Sequence, residues 1–219
     1  MSNITLVRHG QANTAARDEA NYDALSDLGH QQASWLGDHM RSSGEHYERI
    51  YCGTLIRHRQ TADAMALCDG AEVIVDDRLN EMEFFTLANL LLDQQEIAIP
   101  REREDFVSYL PMLMGKWQAG EILTPPESYQ DFEYRTASVI AEIAQGRGSA
   151  LAVTSGGLIA MALRGVLKLD THGFSRLALA IMNSSVHRLH HVGGDFMMTQ
   201  FNAVPHLDRS DRQHAQTHL

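Results

Sequence analysis

Three places in the chain set residues suited to holding an oxyanion directly after or before a strand-like run. In "ITLVRHG", Arg8 and His9 follow an aliphatic stretch and precede Gly10. A guanidinium is a permanently charged planar fork that fits phosphate oxygens, and an imidazole beside it can act as nucleophile or base near neutral pH. Gly10 lets the backbone approach a ligand closely. As a bare tripeptide, the same residues also suit an ordinary surface pair at a loop start. Arg57 falls in the first turn of the helix expected after "RIYCG". A cation there opposes the helix dipole, and a bound anion would account for it. Its neighbours His58 and Arg59 point elsewhere on that helix and read as solvated. Ser155, followed by Gly156, stands in "ALAVTSGGLIAMAL" where strand gives way to helix. Free backbone N–H groups gather at such a start and favour an anion. The G-x-S-x-G elbow of a serine nucleophile is missing, and taken alone Ser155 is a simple cap. Glu81 and Glu83, in "DDRLNEMEFF", follow a third strand-like run. A carboxyl there can give a proton to a leaving oxygen, while two acids in an acidic chain also read as solvated.

The elements that must position these residues alternate. Ile4–Val7 is a strand, and Ser26 caps an amphipathic helix with Leu28, Trp35, Leu36 and Met40 on its apolar face. "RIYCG" predicts a strand, "TLIRHRQTADAMAL" a helix opened by Thr54, and "AEVIVDDRL" a third strand. From 84 to 120 the chain is helix-prone, carries Pro100 and Pro111, and predicts an insertion over one end of the sheet that sets the substrate. A helix over 128–145, the strand "ALAVT" and a helix from Gly157 follow. "SSVHRLHHV" and "DFMMTQFN" flank Gly193-Gly194 as a hairpin, and the polar tail "DRSDRQHAQTHL" is expected to fray. Strand and helix in alternation predict an α/β fold, a three-layer α/β/α sandwich with a mostly parallel sheet. Residues 1–207 are expected to form one domain with the insertion at 84–120, and 208–219 a tail. In such sheets ligands bind beyond the carboxyl ends of strands, which selects 8–10, 53–54 and 154–157.

Composition sets the partners. The chain has 219 residues, 44% of them apolar, and a net charge of −10, which argues against a long polyanion such as nucleic acid. A small anion remains compatible, because a local arginine cluster can sit inside an acidic surface. No apolar run approaches the roughly 20 residues of a spanning helix, and "MSNITLVRHG" lacks a secretory n-region, so a cytoplasmic protein is expected. Cys52 and Cys68 form no CxxC and suit reduced thiols. Among the 12 histidines, alternation puts His187 and His191 on one strand face and His190 on the other. No carboxylate or cysteine is spaced to complete a metal site with them. No metal and no cofactor are expected.

Together these stretches resemble the histidine phosphatase superfamily, which includes the cofactor-dependent phosphoglycerate mutases. "LVRHGQA" is similar to its opening motif, "LSDLGHQQA" to L-[ST]-x-x-G-x-x-Q-A, and "TLIRHRQTA" to L-x-R-A-x-Q-T-A. "DRLNE", "AVTSGG" and "FNAVPHL" match the stretch before the family's acid, its V-[TS]-H-G-G turn and its closing N-x-x-x-H-L. The matches run in order from Leu6 to Leu207. The resemblance implies a phosphoglycerate mutase-like fold, with His9 as the nucleophile that becomes phosphorylated and Glu81, not Glu83, as general acid. Arg8 and Arg57 would clamp the phosphoryl oxygens, with Ser155 and Gly156 completing the cradle. It further implies a metal-independent phosphatase for a small phosphorylated substrate, with no nucleic acid or membrane partner and with homo-oligomerisation allowed. Two departures bear on this. Ser155 stands where the family has a second histidine, which keeps a donor but gives up a charge and leaves room for a weakly active or purely binding member. "MEFFTLANL" and "QANTAARD" differ from the mutase patterns at those places, which weakens the case for phosphoglycerate as substrate and leaves mutase chemistry as the alternative.

Overall fold

Alternation along two central strands dictates the layers. In a computed structural model describing residues 3–67, 73–102 and 104–218, the strand Asn3–Arg8 (β1) sends Ile4 and Leu6 into one hydrophobic cluster and Val7 into another. The strand Ser149–Thr154 (β4) does the same, with Ala150 and Ala152 on the first side and Leu151 and Val153 on the second. A strand buried on both faces must be covered on both, so helices lie above and below the sheet. The second cluster is closed by Ala33, Leu36 and Met40 of helix Asp27–Ser42 (α2) and by Ala62 and Met65 of helix Ile56–Met65 (α3). The first cluster takes Phe132, Val139 and Ile143 from helix Tyr129–Gln145 (α6) and Leu158 to Leu163 from helix Gly156–Leu167 (α7). A short helix Glu19–Tyr22 (α1), helices Phe84–Gln95 (α4) and Phe106–Gln118 (α5), and helix Thr171–Ala180 (α8) complete the described helices.

The strands Arg49–Cys52 (β2), Ile74–Val75 (β3), Val186–Val192 (β5) and Asp195–Ala203 (β6) join β1 and β4 in a six-stranded sheet of order β3-β2-β4-β1-β5-β6. The pairs β3–β2, β2–β4 and β4–β1 are parallel, and β1–β5 and β5–β6 are antiparallel. The fold is thus the expected α/β sandwich, its sheet mixed through the terminal hairpin.

Four local expectations need correction. The third strand is only two exposed residues long at the sheet edge, because Asp76 accepts from the Arg78 amide and turns the chain into the 3-10 segment Asp77–Leu79. Ala71, Glu72 and Cys68 lie outside the described residues. Thr54 does not open α3, since Asn80 holds both its amide (2.8 Å) and its hydroxyl (2.6 Å). The Asp23 carboxylate caps the helix from a distance by accepting the Ile56 and Arg57 amides at 3.0 and 3.3 Å. Helix α7 starts at Gly156 rather than Gly157. The tail is tied down, not frayed. Gln32 Nε2 donates to the Ala215 carbonyl at 2.7 Å, the Asn183 amide donates to the Thr217 carbonyl at 2.8 Å, and Ala215 is fully buried. The segment expected to be an insertion forms α4 and α5, with Pro111 inside α5, and Leu87, Leu91, Leu113 and Met114 join the first cluster. Among the described residues no helix is long and apolar enough to cross a membrane.

Candidate active site

Register brings the three strand ends together. Arg8 pairs with Thr154, the His9 amide donates to the Thr154 carbonyl at 2.9 Å, and the Gly53 amide donates to the Val153 carbonyl at 3.2 Å. Residues leaving β1, β2 and β4 therefore emerge side by side at the carboxyl edge. The Gln32 side chain accepts the Gln11 amide at 2.8 Å, and Thr61 Oγ1 accepts the Gly10 amide at 3.1 Å, so α2 and α3 both pin the loop after His9. Packing alone requires glycine at position 10, since a Cβ there would lie 2.3 Å from the Gly29 carbonyl oxygen.

His9 is buried, and its Nδ1 lies 2.7 Å from the Gly10 carbonyl. A carbonyl only accepts, so Nδ1 carries the proton and a neutral ring presents its lone pair at Nε2. Burial first, then the positive charges of Arg57 and Arg8, hold the His9 ring well below the usual histidine range. The result is a neutral imidazole beside two cations. Arg57 is buried, donates Nη1 to Asp23 at 2.9 Å and lies over the Tyr22 ring at 5.1 Å. Arg8 is buried and donates Nη1 to the Ile181 carbonyl. The Nε of each arginine has no hydrogen-bond partner among the described residues. A buried guanidinium N–H left unpaired costs free energy unless a ligand accepts it.

Glu81 reaches the same cluster from beyond β3, close enough to feel the charges of Arg57 and Arg8. Its Oε2 accepts the Gly157 amide at 2.8 Å and its Oε1 accepts the Met82 amide at 3.1 Å. Burial raises its carboxyl above the ordinary value against the pull of these amides and of Arg57 and Arg8. Glu83 is exposed. Ser155 is fully buried at the start of α7, where Gly156 packs against Arg8. The structure thus gathers His9, Arg8, Arg57, Glu81, Ser155 and Gly156 from four distant parts of the chain. Among the described residues no group of three His, Cys, Asp or Glu side chains could hold a metal ion. A groove of about 520 Å³ against β5, lined by His39, Arg188 and Gln200 among others, contains none of these groups.

Other residues join them unannounced. His58 is not solvated but fully buried, with Nε2 at 2.6 Å from Ser155 Oγ and its ring 5.7 Å from that of His9. Arg59 alone of that pair is exposed. The signal lay in the helix motif, where the family's L-x-R-A-x-Q-T-A carries alanine at the place of His58. His187 finds partners of its own. Its Nε2 meets Ser185 Oγ at 3.0 Å, its Nδ1 accepts the Asn202 amide at 3.2 Å, and burial lowers its ring to about 3. Asp23, Tyr22 and Glu19, near α1, carried no sequence signal. Tyr22 meets His9 edge-on at 6.3 Å and Phe85 at 5.9 Å, while Glu19 accepts the Phe85 amide at 2.7 Å.

The fold recurs in known proteins. Solved structures with the same fold include a phosphoserine phosphatase mutant of Entamoeba histolytica in complex with phosphoserine, at a TM-score of 0.68 and 18% identity, covering 94% of this chain and 100% of that one. The mycobacterial glucosyl-3-phosphoglycerate phosphatase matches at a TM-score of 0.65 and 24% identity, covering 92% of this chain and 98% of that one. At these identities the likeness is one of fold, and the fold is phosphoglycerate mutase-like. A curated relative of Salmonella paratyphi A, named "Probable phosphoglycerate mutase GpmB", is 28% identical over 95% of this chain and 96% of its own. The family model described as histidine phosphatase superfamily (branch 1) matches residues 4–204, which takes in the strand ends and every motif described above except the last residues of "FNAVPHL". With that match spanning most of its length and its motifs in order, the chain belongs to the histidine phosphatase superfamily.

Proposed function

We propose that the protein is a metal-independent phosphomonoesterase working through a phosphohistidine at His9. The observation that carries this reading is the pair of buried guanidiniums, Arg8 and Arg57, each with an unpartnered Nε beside a neutral imidazole. Phosphoryl transfer asks for positioning and for fixed positive charge on the equatorial oxygens, and two arginines with a helix N-terminus supply both. In the first step His9 Nε2 attacks phosphorus, the bond to the ester oxygen breaks, and Glu81 gives that oxygen its proton. In the second, Glu81 takes a proton from water, which attacks phosphorus and frees phosphate and His9. The raised Glu81 carboxyl suits an acid that must hold its proton at the start.

The surroundings favour an ester whose organic part is apolar. Tyr22 and Phe85 carry an aromatic path outward from His9, and Phe84 and Phe106 continue it at 5.5 and 6.3 Å. Glu19, within reach of the charges of Arg57 and Glu81, disfavours a second phosphate or carboxylate beside the first. We propose a small phosphorylated partner for residues 1–207 acting as one catalytic unit. The test is hydrolysis of p-nitrophenyl phosphate in excess chelator by the wild type and by His9→Asn. Turnover that survives chelation and is lost in the variant is expected; chelator-sensitive turnover, or none across a panel of phosphate esters, would overturn the reading. The relative named as a phosphoglycerate mutase favours a second reading, phosphoryl transfer between the hydroxyls of phosphoglycerate. An isomerisation assay primed with a bisphosphate separates the two.

A further inference from the structure

The Ser155 hydroxyl sits where a helix cap belongs but makes no capping bond to α7. Two nitrogen donors face its oxygen instead, His58 Nε2 at 2.6 Å and Arg57 Nη2 at 3.5 Å. A guanidinium has no acceptor, so Arg57 occupies one lone pair of Oγ. His58 is fully buried, and its Nδ1 has no hydrogen-bond partner among the described residues. Burial and the Arg57 charge keep this ring neutral, so it carries a single proton. A proton on Nδ1 would be buried without an acceptor, whereas a proton on Nε2 meets Ser155 at short distance. Nε2–H is therefore the donor, and Oγ already receives two N–H bonds. The hydroxyl's own proton is then free to turn toward the cluster of Arg8, His9 and Arg57. Gly53 makes room for this arrangement, because a Cβ there would come within 2.3 Å of His58 Nδ1.

We propose that His58 is a positioning residue of the oxyanion site, acting through Ser155 by fixing its hydroxyl as a donor to the bound anion. The inference rests on the reading of this cluster as a phosphate site. The two side chains, one from α3 and one from the start of α7, work as a single unit that neither forms alone.

A binding cycle tests this without needing turnover. Orthovanadate is titrated by calorimetry against the wild type, His58→Ala, Ser155→Ala and the double variant, with His58→Gln as the conservative replacement. His58→Ala and Ser155→Ala are each expected to weaken vanadate by about tenfold, the scale of one hydrogen bond. The double variant should bind no more weakly than Ser155→Ala, and His58→Gln, which keeps an N–H, should recover most of the affinity. Losses that multiply in the double variant, or no rescue by glutamine, would overturn the proposal. Nitrogen-15 NMR of the histidine-labelled wild type gives a reading free of any folding defect. The Nε2–H tautomer of His58 is expected, and the Nδ1–H tautomer would refute it. Absence of ester hydrolysis alone counts against the phosphatase reading and leaves this cycle to decide.

Discussion

Lowering the pH from about 7 to about 5 will weaken the fold through imidazoles that are buried without a counter-charge. His187 and His206 are the cases with a magnitude. Burial lowers each ring from 6.5 to about 3, helped by Arg8 for His187 and by His39 and Arg212 for His206. Once unfolded, each returns to its ordinary value and takes up a proton at pH 5. Because the folded values lie below the unfolded ones, this contribution to stability is complete above about 6.5 and is lost as the pH falls toward about 3. Going from about pH 7 to about pH 5, each such histidine costs about 2 kcal/mol of stability, about 4 kcal/mol for the pair, a large part of a typical 5–15 kcal/mol. His9 and His58 act in the same direction. Glu81 and Glu19 act oppositely, because burial raises them and their contribution is lost as pH rises through the folded values. Asp18, Glu48, Asp76 and Asp211 are lowered from ordinary values of 3.8 to 4.5, so their losses fall below this window. Since several groups share the slope, the clean perturbation is one histidine. His206→Gln can keep the bond to Ser184, now 2.8 Å from Nε2, while removing the titration. Urea unfolding at each pH, followed by far-ultraviolet circular dichroism, should show the variant losing about 2 kcal/mol less than the wild type across the window. Parallel losses in the two proteins would refute the reasoning.

Three further outcomes follow from the site. Glu81→Gln should slow hydrolysis of an alkyl phosphate by about 10²–10³ and of p-nitrophenyl phosphate far less, since a good leaving group needs no proton; the wild-type rate should fall as pH rises through the raised Glu81 value, and that limb should vanish in the variant. Asp23→Ala frees Arg57 Nη1 and uncaps α3, so steady-state kinetics should show KM rising about tenfold with stability falling by about 1–2 kcal/mol, whereas unchanged KM would detach Asp23 from the clamp. Ser155→His introduces a ring where His58 Nε2 already stands 2.6 Å from Oγ, so p-nitrophenyl phosphate turnover should fall; combined with His58→Ala it should recover, and a gain in the single variant would show that the two places do not compete.

What the sequence disclosed depended on whether a local pattern carried the information. The strand ends at Arg8-His9 and Ser155-Gly156 stand out because an apolar run stops at polar residues and glycines, and the structure brings them into register. Ser26 caps the helix it precedes, its hydroxyl accepting the Gly29 amide at 3.1 Å. Thr54 fails as a cap because a residue 26 positions away claims it, a contact no window of sequence contains. His58 illustrates the same limit. Helical spacing turned it away from Arg57, yet in a buried helix the other face also meets protein, here the oxygen of Ser155. The tail looked solvated by composition, but Gln32 and Asn183 reach it from far along the chain.

The central claim is that Arg8, His9 and Arg57 close around one tetrahedral oxyanion, and a crystal structure of the protein with orthovanadate tests it most directly. The account predicts vanadium bonded to His9 Nε2, with its oxygens accepting from the Nε groups of Arg8 and Arg57 and from the Ser155 hydroxyl. Vanadate lodged elsewhere, with those two Nε groups still unpaired, would contradict it.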